Sequence, residues 1–469
     1  MNKLFKHQED TINIAKNQNL AIFHDCGCGK TRTALHIIDW HRQQGHTPAL
    51  VVCPLSIIEA AWIEDCKKFT PHLDIVSLWS KKPAERTKRL QEQHDIYVCN
   101  YETFKYLYNN IVAKQFSVIV VDESSKMKDY NSQITKALLT LAGIQAKKSQ
   151  FKSNYTIPYR YVLSGTPAPN DESEYWPQIK FITGQGNQVF SDNFYAFRNY
   201  FFNSIPITPV ARIWKFRKSM REEFMNRMKS ITHVVRKEDA LDLPEQTHVI
   251  RSVKLSDAEI KAYKTLEQDF VLQFEDDYVL AETALVEVMK LRQLTSGFCY
   301  TATGEVYQTG TSKLKELQDL LAEIGSHQVI IWANFRQEIE LLLKELSGSA
   351  ALWSGTPDRD AIIRDFQKGR IKYLIANPQS AAHGLTFTNC QYAVYYSLNY
   401  SYELQKQSQD RIHRAGQDKP VVYYYLVADG TIDNIIYKAV KNKADLSQMV
   451  LQYLKEGKYE TQECKTLAV

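Results

Sequence analysis

A chain of 469 residues, 44% apolar and 24% charged, is too long for one ordinary core and suits two globular domains. Its net charge of +5, from 58 basic and 53 acidic residues, permits a nucleic-acid partner without arguing for one. The eight cysteines lack zinc-ligand spacing, the N-terminus lacks a secretory h-region, and no apolar run could span a bilayer, so a cytoplasmic protein with free thiols is expected.

The first strand is expected at Leu20–Phe23, a short continuous apolar run. His24-Asp25-Cys26-Gly27-Cys28-Gly29-Lys30-Thr31 follows it and opens the amphipathic stretch Thr31–Trp40. Gly27 and Gly29 let the backbone turn its N–H groups towards phosphate oxygens, and the helix N-terminus adds partial positive charge. Lys30 is then suited to the β and γ phosphates of ATP and the Thr31 hydroxyl to Mg2+. The strict Walker pattern has a glycine where His24 stands. The shorter Gly-x-Gly-Lys-Thr form of helicase-type loops is intact. Oxidation of Cys26 or Cys28 would block this loop, although small residues tolerated in a tight turn are the plainer reading.

Further runs at Ala49–Cys53, Ile96–Cys99, Val118–Val121 and Tyr161–Leu163 predict parallel strands buried on both faces. After Val118–Val121, Asp122 and Glu123 stand at a strand's carboxyl end, where ligands bind in such sheets. Asp122 is assigned to Mg2+ and Glu123 to the attacking water. Residues 171–305 are aromatic-rich and read as mostly helical insertions plus the link between lobes. The basic stretch Arg212 to Arg221 within them is read evenly as a functional surface or a solvated helix face.

The strand series then repeats at Val329–Ala333, Tyr373–Ala376, Tyr392–Tyr396 and Val421–Val427, with a helical stretch at Asp360–Phe366. Gln407, Arg411 and Arg414, spaced by four and three, would share one face of a helix, and two guanidiniums there suit arginine fingers. Ile432, Ile435, Ile436 and Ala439 predict a helix packed on the second lobe. The fold class is therefore α/β: two tandem doubly wound parallel-sheet lobes with helical insertions, residues 1–246 and 247–469.

These motifs resemble the Swi/Snf branch of superfamily-two ATPases across nearly the whole chain. Leu4-Phe5-Lys6-His7-Gln8 resembles the family's glutamine motif, which implies that Gln8 reads adenine. Val52-Cys53-Pro54-Leu55 with Trp62, and Asn100-Tyr101-Glu102-Thr103, resemble strand-contact motifs. Asp122-Glu123-Ser124-Ser125 resembles the Asp-Glu box, with Ser125 where histidine is usual. Leu163-Ser164-Gly165-Thr166-Pro167 resembles the coupling motif. Ala376–Thr386 resembles motif five, bringing in Gly384, with Ala382 where glycine is usual. Asp410-Arg411-Ile412-His413-Arg414-Ala415-Gly416-Gln417 resembles the final motif. Val235-Arg236-Lys237, Leu243-Pro244 and Leu291-Arg292-Gln293 resemble landmarks of the Swi/Snf insertions.

The resemblance implies that the two α/β lobes are RecA-like and that the chain is an ATP- and Mg2+-dependent motor, monomeric, moving on double-stranded DNA. ATP would be held by Gln8, Gly27, Cys28, Gly29, Lys30, Thr31, Gly384 and Gln407. Ser56, Thr103 and Thr386 are the candidate phosphate contacts on DNA. A strand-separating helicase acting on RNA or single strands is the alternative. A nonenzymatic DNA-binding module is opposed by the intact Lys30, Asp122, Glu123, Arg411 and Arg414.

Overall fold

The computed structural model describes residues 3–144, 149–169, 171–206, 212–274, 281–300, 305–354, 356–381 and 385–441. Two compact units divide at Asp242 and Leu243.

In chain order the strands of the first unit are β1 (Leu20–His24), β2 (Ala49–Cys53), β3 (Ile75–Ser77), β4 (Ile96–Asn100), β5 (Val118–Asp122), β6 (Tyr159–Leu163), β7 (Phe202–Pro206), β8 (Arg212–Phe216) and β9 (Thr232–Val235). Seven of them form one sheet in the order β3-β4-β2-β5-β6-β1-β9, every pair parallel. The other two form an antiparallel ribbon.

The continuous apolar runs have a simple cause. Alternate residues of each strand enter different cores. Leu20, Ile22, Ala49 and Val51 face one, while Ala21, Phe23, Leu50 and Val52 face the other. With both faces covered, no position in these runs faces solvent, so none is marked by a solvated polar side chain.

The second unit contains β10 (Gln246–Val253), β11 (Phe298–Tyr300), β12 (Val306–Gln308), β13 (Val329–Trp332), β14 (Ser349–Leu352), β15 (Tyr373–Ala376), β16 (Tyr392–Tyr395) and β17 (Val421–Ala428). Its main sheet runs β10-β17-β16-β13-β15-β14, again all parallel. Ile330, Trp332, Tyr423 and Tyr425 enter one core, and Val329, Ile331, Tyr396 and Leu426 the other. The helix expected after Thr431 is Ile432–Lys441, with Ile432, Ile435, Ile436 and Ala439 buried against the second lobe.

Helices dominate residues 171–305 as expected, but the segment is not helical throughout. Besides helices, this segment supplies β7, β8, β9, β10 and β11. The basic stretch is not one helix face: Arg212–Phe216 is a strand, followed by a short turn at Lys218–Met220 and a helix from Arg221. Exposed positions interrupt these strands, so they do not show the run of a strand covered on both faces. No helix among the described residues is long and apolar enough to cross a membrane.

Candidate active site

β5, β6 and β1 lie side by side, with Asp122 level with Leu163 and Leu163 level with Ile22. Their carboxyl ends therefore deliver the acidic pair, the Ser164–Thr166 segment and the glycine turn to one edge of the first sheet.

In the turn, Gly27 and Gly29 have φ of 88° and 75°, backbone geometry that L side chains rarely adopt. Gly29 precedes the helix Lys30–Gln43. The N-terminal helix Lys6–Ala15 clasps the turn from below. Gln8 Nε2 donates to the Gly29 carbonyl at 3.2 Å, and His7 Nε2 lies 2.9 Å from the Cys28 carbonyl oxygen. A Cβ at residue 29 would stand 2.4 Å from Gln8 Nε2. Gln8 is buried and its Oε1 accepts from the Phe5 N–H, so in this structure its amide shapes the loop.

His24 occupies the place of a Walker glycine because its side chain points away from the turn. The ring is fully buried, with Nε2 3.0 Å from His233 Nδ1 and 3.3 Å from Thr11 Oγ1. Burial, then the charges of Lys30, His233 and His7, push its pKa down to about 2, leaving it a neutral packing group.

Lys30 Nζ donates to the His24 carbonyl at 2.9 Å and the Asp25 carbonyl at 3.4 Å. Burial opposes its charge, but Cys26, Glu123, Asp122 and Cys28 outweigh that, and the ammonium pKa is raised. Thr31 is half-buried in the first helical turn. Cys28 is buried, and desolvation pushes its thiol up to about 11. Cys26 packs on the coupling segment: a Cβ on Gly165 would meet Cys26 Sγ at 2.8 Å and its backbone nitrogen at 3.2 Å.

Asp122 and Glu123 are both buried. Trp62 Nε1 donates to Asp122 Oδ2 at 3.0 Å, and the Glu123 N–H to Asp122 Oδ1 at 2.9 Å. Tyr101 OH donates to both backbone carbonyls of the pair, at 2.7 and 3.2 Å. Burial, then the neighbouring Glu123 charge, raise the Asp122 pKa against the opposing pull of Lys30 and Trp62. Glu123 itself adopts φ 52°, ψ 54°, a left-handed conformation costly for a non-glycine residue. Its Oε2 has no hydrogen-bond partner among the described residues. A strained, buried carboxylate with one unsatisfied oxygen fits a group held for a water or ligand rather than for packing.

Gln178 lay outside the sequence reading. It accepts from Ser124 Oγ at 2.7 Å and donates to the Pro167 carbonyl at 2.6 Å, bridging the acidic box to the coupling segment. It sits far along the chain in Tyr175–Thr183, so spacing offered no sign of it.

Of the candidate DNA contacts, Ser56 is exposed in the turn Leu55–Ile57, and Thr386 is half-buried. Thr103 is corrected. It is fully buried in the helix Tyr101–Tyr106, where its N–H donates to the Asn100 cap, so its side chain presents nothing to solvent.

In the second unit the helix Tyr402–Gln409 stops short of the arginines, which corrects the single-face geometry. Arg411 and Arg414 lie in the turns that follow, and both donate to one acceptor, the Leu385 carbonyl, at 3.3 Å each. Arg411 Nε also donates to the Gln407 carbonyl at 3.1 Å. Buried Gln417 fastens this turn through the Cys390 carbonyl at 2.9 Å. The two guanidiniums are thus brought together by the loop rather than by helical periodicity. Gln407 is buried in the helix with its Oε1 unpartnered among the described residues. Ala382, His383 and Gly384 lie outside the described residues.

Two parallel α/β lobes, one carrying a Gly-Lys-Thr turn beside a strand-end acidic pair, define a helicase-type ATPase. More specifically, the chain belongs to the SNF2-related family: residues 9–297 match the SNF2-related domain and residues 312–416 the helicase conserved C-terminal domain. Its relatives include "Putative protein p41" of Acyrthosiphon pisum secondary endosymbiont phage 1, 24% identical over 92% of this chain and 93% of that protein. Another is the human "DNA annealing helicase and endonuclease ZRANB3", 24% identical over 97% of this chain and 41% of that protein. The chain spans nearly all of the phage relative but under half of several larger ones. The solved SWI2/SNF2 ATPase core of Sulfolobus solfataricus in complex with dsDNA aligns over 97% of this chain and 93% of its own, at 20% identity and a TM-score of 0.43.

Proposed function

We propose that the protein is a motor that hydrolyses ATP and uses the cycle to move along double-stranded DNA. The observation that carries this is the shared edge of β1, β6 and β5, where a phosphate-type turn, a coupling segment and an orphaned buried carboxylate meet. A chain built only to bind DNA has no use for a strained Glu123 beside Lys30.

Lys30 would hold the β and γ phosphates, and Glu123 would orient the attacking water through its unsatisfied oxygen. Thr31 and Asp122 form an all-oxygen donor pair that suits Mg2+, whose chemistry is to neutralise phosphate charge. Asp122 is already oriented by Trp62. Arg411 and Arg414, gathered on the Leu385 carbonyl, are the arginine-finger candidates, whose chemistry is to stabilise charge on a transferred phosphoryl group. Ser56 and Thr386 would touch DNA phosphates, making the grip sequence-tolerant and salt-sensitive. Relatives named for DNA annealing and chromatin remodelling support a DNA substrate.

The test is the ATPase rate of the chain with duplex DNA, single-stranded DNA and RNA, followed by displacement of a triplex-forming strand. Stimulation by duplex together with triplex displacement is expected. Stimulation only by RNA or single strands would replace this reading with a strand-separating helicase, and turnover by Lys30→Ala would refute the site.

A further inference from the structure

The segment that carries the β7–β8 ribbon is cationic with no acidic residue inside it. Residues 193–221 contain six lysines and arginines and no acidic residue, while the whole chain is only +5, so the other 440 residues sum to −1. Arg198 lies in the helix Phe194–Phe201; the rest lie on β8 and the turn and helix after it.

The ribbon of β7 and β8 is planted firmly. Phe202 is buried, Trp214 and Phe216 pack on the same core, and the Arg198 guanidinium lies 4.0 Å from the Trp214 ring centroid. Three of the six cations have such structural duties. Besides Arg198, Arg217 donates to Asn203 Oδ1 and the Asn199 carbonyl, and Arg221 pairs with Glu172 at 3.0 Å. The other three, Arg212, Lys215 and Lys218, are exposed, and no described carboxylate pairs with them. Strand alternation places Arg212 and Lys215 on opposite faces of the ribbon, with Lys218 in the turn just beyond.

We propose that this ribbon is a phosphate-contacting surface for duplex DNA, used in addition to the motif contacts, with Arg212, Lys215 and Lys218 as its contacts. A two-stranded ribbon with cations on both faces matches a polyanion that has a phosphate wall on either side, and the major groove of DNA admits such a ribbon. Anchoring by the aromatic core reduces the ordering cost that loose lysines would carry on binding. The proposal rests on the motor reading above and extends it to a surface outside the family motifs.

The experiment compares the wild-type chain with Arg212→Gln/Lys215→Gln/Lys218→Gln, and with a charge-retaining control, Arg212→Lys/Lys215→Arg/Lys218→Arg. Anisotropy of a labelled mixed-sequence duplex is followed from about 50 to about 200 mM salt, alongside ATPase with and without DNA. In the neutralised variant the log–log salt slope is expected to become shallower by about 2–3, since each phosphate contact contributes about one. The DNA concentration for half-stimulation should rise about tenfold, DNA-free ATPase should stay unchanged, and the control should behave like wild type. An unchanged slope and half-stimulation in the neutralised variant would overturn the proposal. So would loss of polyglutamate binding with DNA binding intact, which assigns the ribbon to an acidic protein instead. Wild-type ATPase indifferent to every nucleic acid would instead sink the motor reading itself.

Discussion

The indole of Trp62 donates to the carboxylate of Asp122 at 3.0 Å, joining two segments 60 residues apart. Trp62 lies in a π-helical turn, Ile58–Ile63, only six residues beyond exposed Ser56. Such turns often mark functional positions because they impose an otherwise unfavourable geometry. The segment expected to touch DNA is therefore tied to the carboxylate expected to hold Mg2+. Trp62→Phe keeps a ring but leaves Asp122 Oδ2 buried without its donor, which should lower stability by about 1–3 kcal/mol. The Mg2+ concentration for half-maximal ATPase should rise several-fold, and a magnesium titration of both proteins checks it. An unchanged midpoint would mean that the bond only packs the core.

Glu123→Gln removes the charge that orients water while keeping the side chain's shape. Turnover should fall at least about a hundredfold, in the range of lost general-base catalysis. Nucleotide binding should survive, because the phosphate turn is untouched, whereas Lys30→Ala should lose both. Equilibrium binding of a fluorescent ATP analogue beside steady-state ATPase separates the two defects.

Gly165→Ala should uncouple the turn from the coupling segment, since the new methyl would meet Cys26 Sγ at 2.8 Å. Adding Cys26→Ala removes the sulfur and should recover part of the lost ATPase. The recovery should be incomplete, because the Cys26 backbone nitrogen, 3.2 Å away, cannot be deleted. Additive losses in this double-mutant cycle would deny the contact.

Arg411 and Arg414 share the Leu385 carbonyl but differ in burial: Arg411 is 7% exposed and Arg414 half-buried. Both alanine variants should lower turnover by about a thousandfold if the residues act as arginine fingers. Arg411→Ala should lower the unfolding midpoint more than Arg414→Ala, because it removes a buried side chain and the donor to Gln407 as well as one of the two donors to Leu385. Thermal unfolding without nucleotide makes the distinction.

The Cys28 thiol, buried and pushed up to about 11, stays protonated throughout the neutral range. Alkylation at pH 7 followed by mass spectrometry should leave Cys28 unlabelled in the folded protein. Labelling as fast as in denaturant would show the turn to be open.

Chain order by itself determined the interior of both sheets and the chemistry at their edges. The interior strands β1, β2, β4, β5, β6, β13, β15, β16 and β17 all appear as apolar runs, because a strand covered on both faces has no solvent position to mark with a polar residue. The glycine turn and the Asp122–Glu123 pair were legible for a related reason: each is a local break at the end of such a run. Only tertiary structure could supply the four edge strands, β3, β9, β10 and β14, whose partly exposed residues carry no comparable signature. It also decided that His24 faces away from the turn, that Thr103 is buried, and that a loop rather than a helix gathers Arg411 and Arg414. The partnerships of Trp62 with Asp122 and of Gln178 with Ser124 were hidden for the same cause. Periodicity reports a residue's local environment, whereas a contact across 54 or 60 residues exists only once the strands between them have packed.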